Sequence, residues 1–251
     1  MSDRSTVETA IGFDPAGTTS RASFLRKSAL GGALLVGSGA VLTRPSAALA
    51  GHSDSIPDVD VLNYALTLEY LEATFYTQAL GGSGTTGVPA SSAEFDRGEI
   101  TGSRLFAGFG GRIRSSAFEL LSAIRDHEVA HVDFLRTALG AAAVGPCTPD
   151  FSSALGSVEA FVGTAQVLEN TGVMAYDGAI RYLDSGDFLQ AGAEIATIEA
   201  RHAAYLNLIN GDSPFPDAFD DGKLPSQIFA AASPFIVSCP PAVVALFGRL
   251  P

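Results

Sequence analysis

Tryptophan is absent from the 251 residues, and methionine, cysteine and histidine are scarce, at two, two and four copies. Neither cysteine stands at metal-ligand spacing from a histidine, which sets thiolate metal sites aside. Positive charge is also short: 15 Lys and Arg face 27 Asp and Glu, a net charge of −12. No basic cluster occurs beyond the N-terminus, which argues against nucleic acid as a partner. Alternation of apolar and polar residues is missing over any length, so no sheet is expected. No apolar run reaches the roughly 20 residues of an unaided membrane span.

The apolar stretch that does occur lies near the N-terminus. Ser20-Arg-Ala-Ser-Phe-Leu-Arg-Lys27 is basic, residues 29–42 are apolar with four glycines and one serine, and Ala48-Leu49-Ala50 supplies small residues for cleavage. Residues 1–50 therefore read as an export signal, removed so that no membrane span remains. The pattern resembles a twin-arginine signal, with Ala22 where the second arginine belongs. Without residues 1–50, 10 basic side chains face 24 acidic ones and the net charge is −14; Lys223 is the only lysine left. Such a surface draws cations over about a Debye length. For an exported chain, the even pair Cys147 and Cys239 predicts a disulfide tying the tail to an internal loop. The alternative is two unpaired, small apolar residues.

Two of the four histidines fall in one repeated frame. Glu128-x-x-His131 is followed by Phe134-Leu135, and Glu199-x-x-His202 by Tyr205-Leu206. On a helix, residues three apart lie about 60° apart around the axis, so both side chains reach one metal ion. Ahead of each copy stands a further carboxylate, Glu69 and Glu169, with Tyr76 and Tyr176 each seven residues on. One Glu from each of two helices, and Glu-x-x-His from each of two others, is the ligand set of dinuclear carboxylate bundles. The repeat pairs Glu69 with Glu169, and Glu128/His131 with Glu199/His202, about an approximate two-fold axis. One metal then takes Glu69 and His131, the other Glu169 and His202, with Glu128 and Glu199 bridging. Glu72 is a rival ligand on the first helix; the recurring Glu-to-Tyr spacing favours Glu69 and leaves Glu72 as a helix-surface or outer-shell residue. Tyr76 and Tyr176 are candidates for hydrogen bonds that orient ligands, or for aromatic core. His127 points about 100° from Glu128 and is not expected to be a ligand.

Helical patterns place these residues on four long segments: 58–80, 112–139, 155–182 and 188–209. Residues 81–103, rich in Gly, Ser and Thr, form an insertion that is either a lid or a disordered loop. Residues 141–151 cross between the halves, and the tail (212–251) carries a short fifth helix at about 226–232. The expected architecture is all-α: a four-helix bundle over about 58–211 within a domain of residues 51–251.

The segment Ala65-Leu-Thr-Leu-Glu-Tyr-Leu-Glu-Ala-Thr-Phe-Tyr76, with His127-Glu-Val-Ala-His-Val-Asp-Phe-Leu135, Leu168-Glu169, Glu199-Ala-Arg-His-Ala203 and the turn at 214–219, resembles the ferritin-like superfamily. More narrowly, it is similar to the exported ferritin-like domain family that includes plant desiccation-related proteins. The resemblance implies a ferritin-like four-helix bundle with a long crossover and a carboxylate-bridged dinuclear site. Hard carboxylates with imidazoles suit two Fe or Mn ions, and such a pair suits reduction of O2 or peroxide, as in ferroxidase-, peroxidase- or catalase-like enzymes. The resemblance does not fix one activity. Stress-related metal handling is one expectation; a structural, desiccation-protective envelope protein with a vestigial site is the other. A storage cage fits less well, because the Gly-rich insertion and irregular tail are hard to place in a closed shell. Nothing in the sequence sets the oligomeric state.

Overall fold

The computed structural model describes residues 56–251; the export signal expected over residues 1–50 lies outside them. Asp58–Leu80 forms the first helix, α1, and nearly every residue of it is buried. A helix apolar on all sides must be enclosed, so α1 is the centre of the packing. Asp58 and Asp60 in its first turn oppose the positive end of the helix dipole. The Asp58 carboxylate also accepts from the backbone N–H of Asp184 and Ser185, at 2.8 and 2.9 Å.

The insertion after α1 is ordered. Gly82 bridges to Ser91 and Thr85 to Val88. Three short helices follow: α2 (Arg97–Gly102), α3 (Arg104–Ala107) and α4 (Gly111–Ser115). Asp96 and Glu99 form a capping box at the start of α2. Phe95, Ile100 and Phe106 are buried in the core, so this segment is an integral wall of the bundle and not a disordered loop. Its anchors are single apolar residues among Gly and Ser, too sparse to give a periodic signal.

Ala117–Leu139 forms α5, which starts five residues later than the pattern suggests because the backbone breaks at Ser116. Thr148–Pro149 is a short strand, β1. Val158–Ala179 forms α6, capped by the Ser157 side chain, and Gly186–Asn210 forms α7, capped by Ser185 and closed by Gly211 at φ +89°. The tail supplies α8 (Pro225–Ala232), β2 (Ile236–Ser238) and α9 (Pro241–Phe247). The absence of sheet expected from the sequence is thus corrected in one place. β1 and β2 pair antiparallel, Thr148 opposite Ser238 and Pro149 opposite Ile236. Strands of two and three residues leave no alternation to read.

Polar contacts fix the helix directions. Asn63 near the start of α1 bonds to Ala142 and Val144 just beyond α5, while Arg125 near the start of α5 donates to the carbonyl of Gly81 beyond α1. α1 and α5 are therefore antiparallel. The same holds for α6 and α7, since Asn210 donates to Val162 and Gln166 donates to Asn207. Tyr76 meets Glu169 and Tyr176 meets Glu69, so α1 and α6 are antiparallel too. It follows that α5 and α6 run parallel, and residues 140–157 must cross the length of the bundle to join them. This is the ferritin-like four-helix arrangement, all-α with a long crossover.

The tail closes over this frame. Arg249 forms a two-pronged ion pair with Asp60 at 2.7 and 2.9 Å, and Phe247 packs edge-on to Tyr64. Residues 222–223 lie directly on α6: a Cβ on Gly178 would fall 1.9 Å from the Lys223 carbonyl oxygen, so only glycine fits there. Among the described residues no helix is long and apolar enough to cross a membrane. Cys147 and Cys239 are joined by a disulfide, their Cα atoms 4.1 Å apart, which pins the middle of the crossover to the tail. The bond closes a loop spanning 92 positions. Replacing both cysteines by serine is expected to lower the unfolding free energy by about 2–4 kcal/mol. Denaturant titration checks this, and an unchanged midpoint would mean that packing alone holds the tail.

Candidate metal centre

Each of the four long helices sends acidic or imidazole side chains to one point midway along the bundle. Glu69 comes from α1, Glu128 and His131 from α5, Glu169 from α6, and Glu199 and His202 from α7. The four carboxylates have no exposed surface, and His202 is 5% exposed. Nδ1 of His131 lies 3.2 Å from oxygens of Glu69, Glu128 and Glu199. Nδ1 of His202 lies 3.0 Å from oxygens of Glu128 and Glu169. These residues form two overlapping groups, each able to converge on one cation. Glu69, Glu128, His131 and Glu199 make the first; Glu128, Glu169, Glu199 and His202 make the second, with ligand atoms within 4.8 Å of one another in each. Glu128 and Glu199 belong to both.

The tyrosines reach across the repeat. The Tyr76 hydroxyl donates to Glu169 Oε1 at 2.7 Å, and the Tyr176 hydroxyl donates to Glu69 Oε1. Each of these two carboxylates therefore keeps its other oxygen, Oε2, for the histidine side. Burial, then the neighbouring carboxylate, pushes both tyrosine pKa values well up, so both remain donors at any ordinary pH.

Among the six clustered side chains, three fully buried carboxylate oxygens have no hydrogen bond to any described residue: Glu128 Oε1 and both oxygens of Glu199. Their approaches to His202 and His131 are short but lack hydrogen-bonding geometry. An orphaned buried carboxylate oxygen costs several kcal/mol by order of magnitude, unless a cation or proton meets it. Hard oxygen donors, two imidazole nitrogens and no thiolate fit Fe or Mn better than Cu(I) or structural Zn.

Glu72 corrects the expectation of a helix-surface residue. It is 5% exposed and faces inward beside Glu69. No hydrogen bond or ion pair to it is formed among the described residues. Gly172 makes the room: a Cβ there would fall 3.1 Å from Glu199 Oε2 and 3.4 Å from Glu72 Oε1. His127 was also missed. It is exposed, yet its Nδ1 lies 2.9 Å from His202 Nε2, with the rings nearly parallel. The 100-residue offset that pairs Glu69 with Glu169 pairs Glu72 with Gly172, and the 71-residue offset that pairs Glu128 with Glu199 pairs His127 with Ile198. Departures from the repeat were the available signal.

Crowding sets the protonation of the metal-free cluster. Burial and then the charge of Glu169 push Glu128 up to about 7. Burial and then neighbouring carboxylates hold Glu72 and Glu199 well above the usual range. Burial opposes charge on the histidines, but the adjoining glutamates outweigh it, Glu69 foremost at His131 and Glu128 with Glu169 at His202, raising His131 strongly and His202 to about 9. Glu69 ends below its ordinary value, since burial is outweighed by His131, Glu128 and Tyr176 together. His127 is lowered, first by burial and then by His202.

A family profile of the ferritin-like domain matches residues 57–212, more than half the chain and all four long helices. The chain belongs to the ferritin-like domain family. This ferritin-like chain is also 27% identical to protein rds1 of Schizosaccharomyces pombe over 189 residues, which is 75% of this chain and 42% of rds1. It thus spans less than half the length of that curated relative. The buried carboxylate–histidine cluster of this ferritin-like domain is compatible with metal binding.

Linkage gives a stability test. Glu128 rises from 4.5 to about 7 on folding and His202 from 6.5 to about 9. A raised folded pKa contributes stability that is present at low pH and lost as pH climbs through the folded value. The melting temperature of metal-free protein is therefore expected to fall between pH 5 and pH 9, followed by circular dichroism. Bound metal replaces those protons, so the stabilisation it adds should grow over the same range. A flat metal-free profile would show that the cluster does not hold protons.

Proposed function

We propose that the chain holds two Fe or two Mn ions in a carboxylate-bridged centre and uses them in oxidation or peroxide chemistry, or in handling the metal itself. The observation that carries this reading is the pair of overlapping four-residue groups sharing Glu128 and Glu199. Glu69 with His131 would hold one ion, Glu169 with His202 the other, and Glu128 with Glu199 would bridge. Four carboxylates balance the charge of two divalent ions, and the three orphaned oxygens belong to the two proposed bridges. Two adjacent redox ions supply one electron each, which matches a two-electron oxidant such as peroxide.

The chain's own residues do the rest. Tyr76 and Tyr176 hold the outer oxygens of Glu169 and Glu69, so each carboxylate keeps one oxygen turned inward. The apolar core around them, including Leu68, Phe75, Phe161 and Leu168, excludes water. Export is part of the proposal: the Cys147–Cys239 bond suits an oxidising compartment, and the sequence of residues 1–50 has the pattern of a signal.

Anaerobic loading with Fe(II) or Mn(II), desalting and metal analysis test the centre. Two ions per chain are expected in the wild type, and one or fewer in Glu128→Gln and Glu199→Gln. Wild-type protein holding well under two would overturn the dinuclear reading. Consumption of O2 or H2O2 by the loaded wild type, lost in Glu128→Gln, tests the chemistry. Full loading without turnover would leave a metal-stabilised protective bundle in its place.

A further inference from the structure

The two halves of the site differ where the repeat is broken. Nδ1 of each histidine faces the carboxylates, so a metal-bound imidazole must carry its proton on Nε2. His202 has a partner for that proton, since His127 Nδ1 lies 2.9 Å from its Nε2. His131 has none. Among the described residues no hydrogen bond is made on the far side of its ring, and Ile198 stands where the repeat would put the equivalent of His127. A cavity of about 200 Å³, lined by His131, Phe134, Glu194 and Ile198 among others, opens there. A ligating histidine whose other N–H is held by an acceptor is fixed in tautomer and orientation and is a more basic donor. Glu72 breaks the symmetry in the same sense. Its carboxylate reaches across to α6, the helix of Glu169, into space that its counterpart Gly172 leaves empty.

We infer that the two metal positions are unequal, and that the one beside Glu169 and His202 binds more tightly because His127 holds His202 in its metal-binding tautomer. His127 is a positioning residue that touches no metal itself. This inference rests on the dinuclear reading, but it can fail while that reading stands.

Titration of the metal-free full chain with Mn(II), with free Mn(II) followed by electron paramagnetic resonance, separates the two. Wild-type protein is expected to bind two ions with distinct affinities. His127→Phe should weaken the tighter of them by about 10–100-fold and leave the weaker unchanged. His127→Gln, which returns an acceptor oxygen, should restore much of the loss. Ile198→His should tighten the weaker position by giving His131 the partner it lacks. Positions 127 and 198 are not fully buried, and equal melting temperatures of the metal-free variants would exclude a folding defect. Two ions of equal affinity in the wild type, or His127→Phe weakening both or neither, would overturn the inference while two-metal binding stands. Fewer than two ions in the wild type would overturn both.

Discussion

Four carboxylates with no exposed surface share one point in this bundle, and a fifth stands beside them at 5% exposure. Two like charges within 4.8 Å repel by about 3–4 kcal/mol at an effective dielectric constant near 20. Several such pairs would rival the whole stability of an ordinary domain, about 5–15 kcal/mol. The fold can hold this cluster only if cations or protons fill it. The rest of the architecture follows from keeping that exchange away from bulk water. α1, which carries Glu69 and Glu72, is enclosed on nearly all sides, and hydroxyl donors from Tyr76 and Tyr176 replace the water that the outer carboxylates would otherwise have.

Enclosing α1 requires more than the four long helices. A square bundle leaves one side of each helix open, and here two added segments cover what is open. The insertion buries Phe95, Ile100 and Phe106. The tail brings α9 against Tyr64 and Asp60, and lays residues 222–223 on Gly178 so closely that backbone meets backbone. The disulfide adds a covalent tie between crossover and tail, which are also joined by the two-stranded pair and by Phe151 packed on Phe235. Enclosure of the site is therefore distributed along the chain, from residue 95 to residue 249.

The four long helices were legible because their apolar faces recur over more than 20 residues each. α1 was readable to its ends, where Pro57 and Gly81 mark the boundaries. The six clustered residues were legible because they repeat; a Glu-x-x-His alone would have said little. The remainder lacked either length or repetition. β1 and β2 have two and three residues, α9 has seven, and the insertion is held by four separated apolar side chains, Val88, Phe95, Ile100 and Phe106. The start of α5 is not legible, because the break at Ser116 is made by backbone geometry that arginine- and serine-rich sequence does not announce. The burial of Glu72, expected as a helix-surface or outer-shell residue, is not legible because the repeat supplies no reason for a second buried acid on α1. The reason is on another helix, at Gly172, a hundred residues away.

That last case points to how such a site is encoded. Repetition specifies position: the same spacing on two helix pairs, folded antiparallel, brings six side chains to one place without any one pairing being designed separately. Difference specifies chemistry. A site with strict two-fold symmetry would give each metal the same ligands, the same charge and the same histidine basicity. Here the sequence departs from its own repeat at His127 against Ile198 and at Glu72 against Gly172, both within three residues of a clustered glutamate. Neither departure is needed for packing, since His127 is exposed and Glu72 is a costly thing to bury. Their position beside the cluster, rather than in the wall around it, ties them to the charge and ligand strength of the two halves, which the repeated residues alone would leave alike.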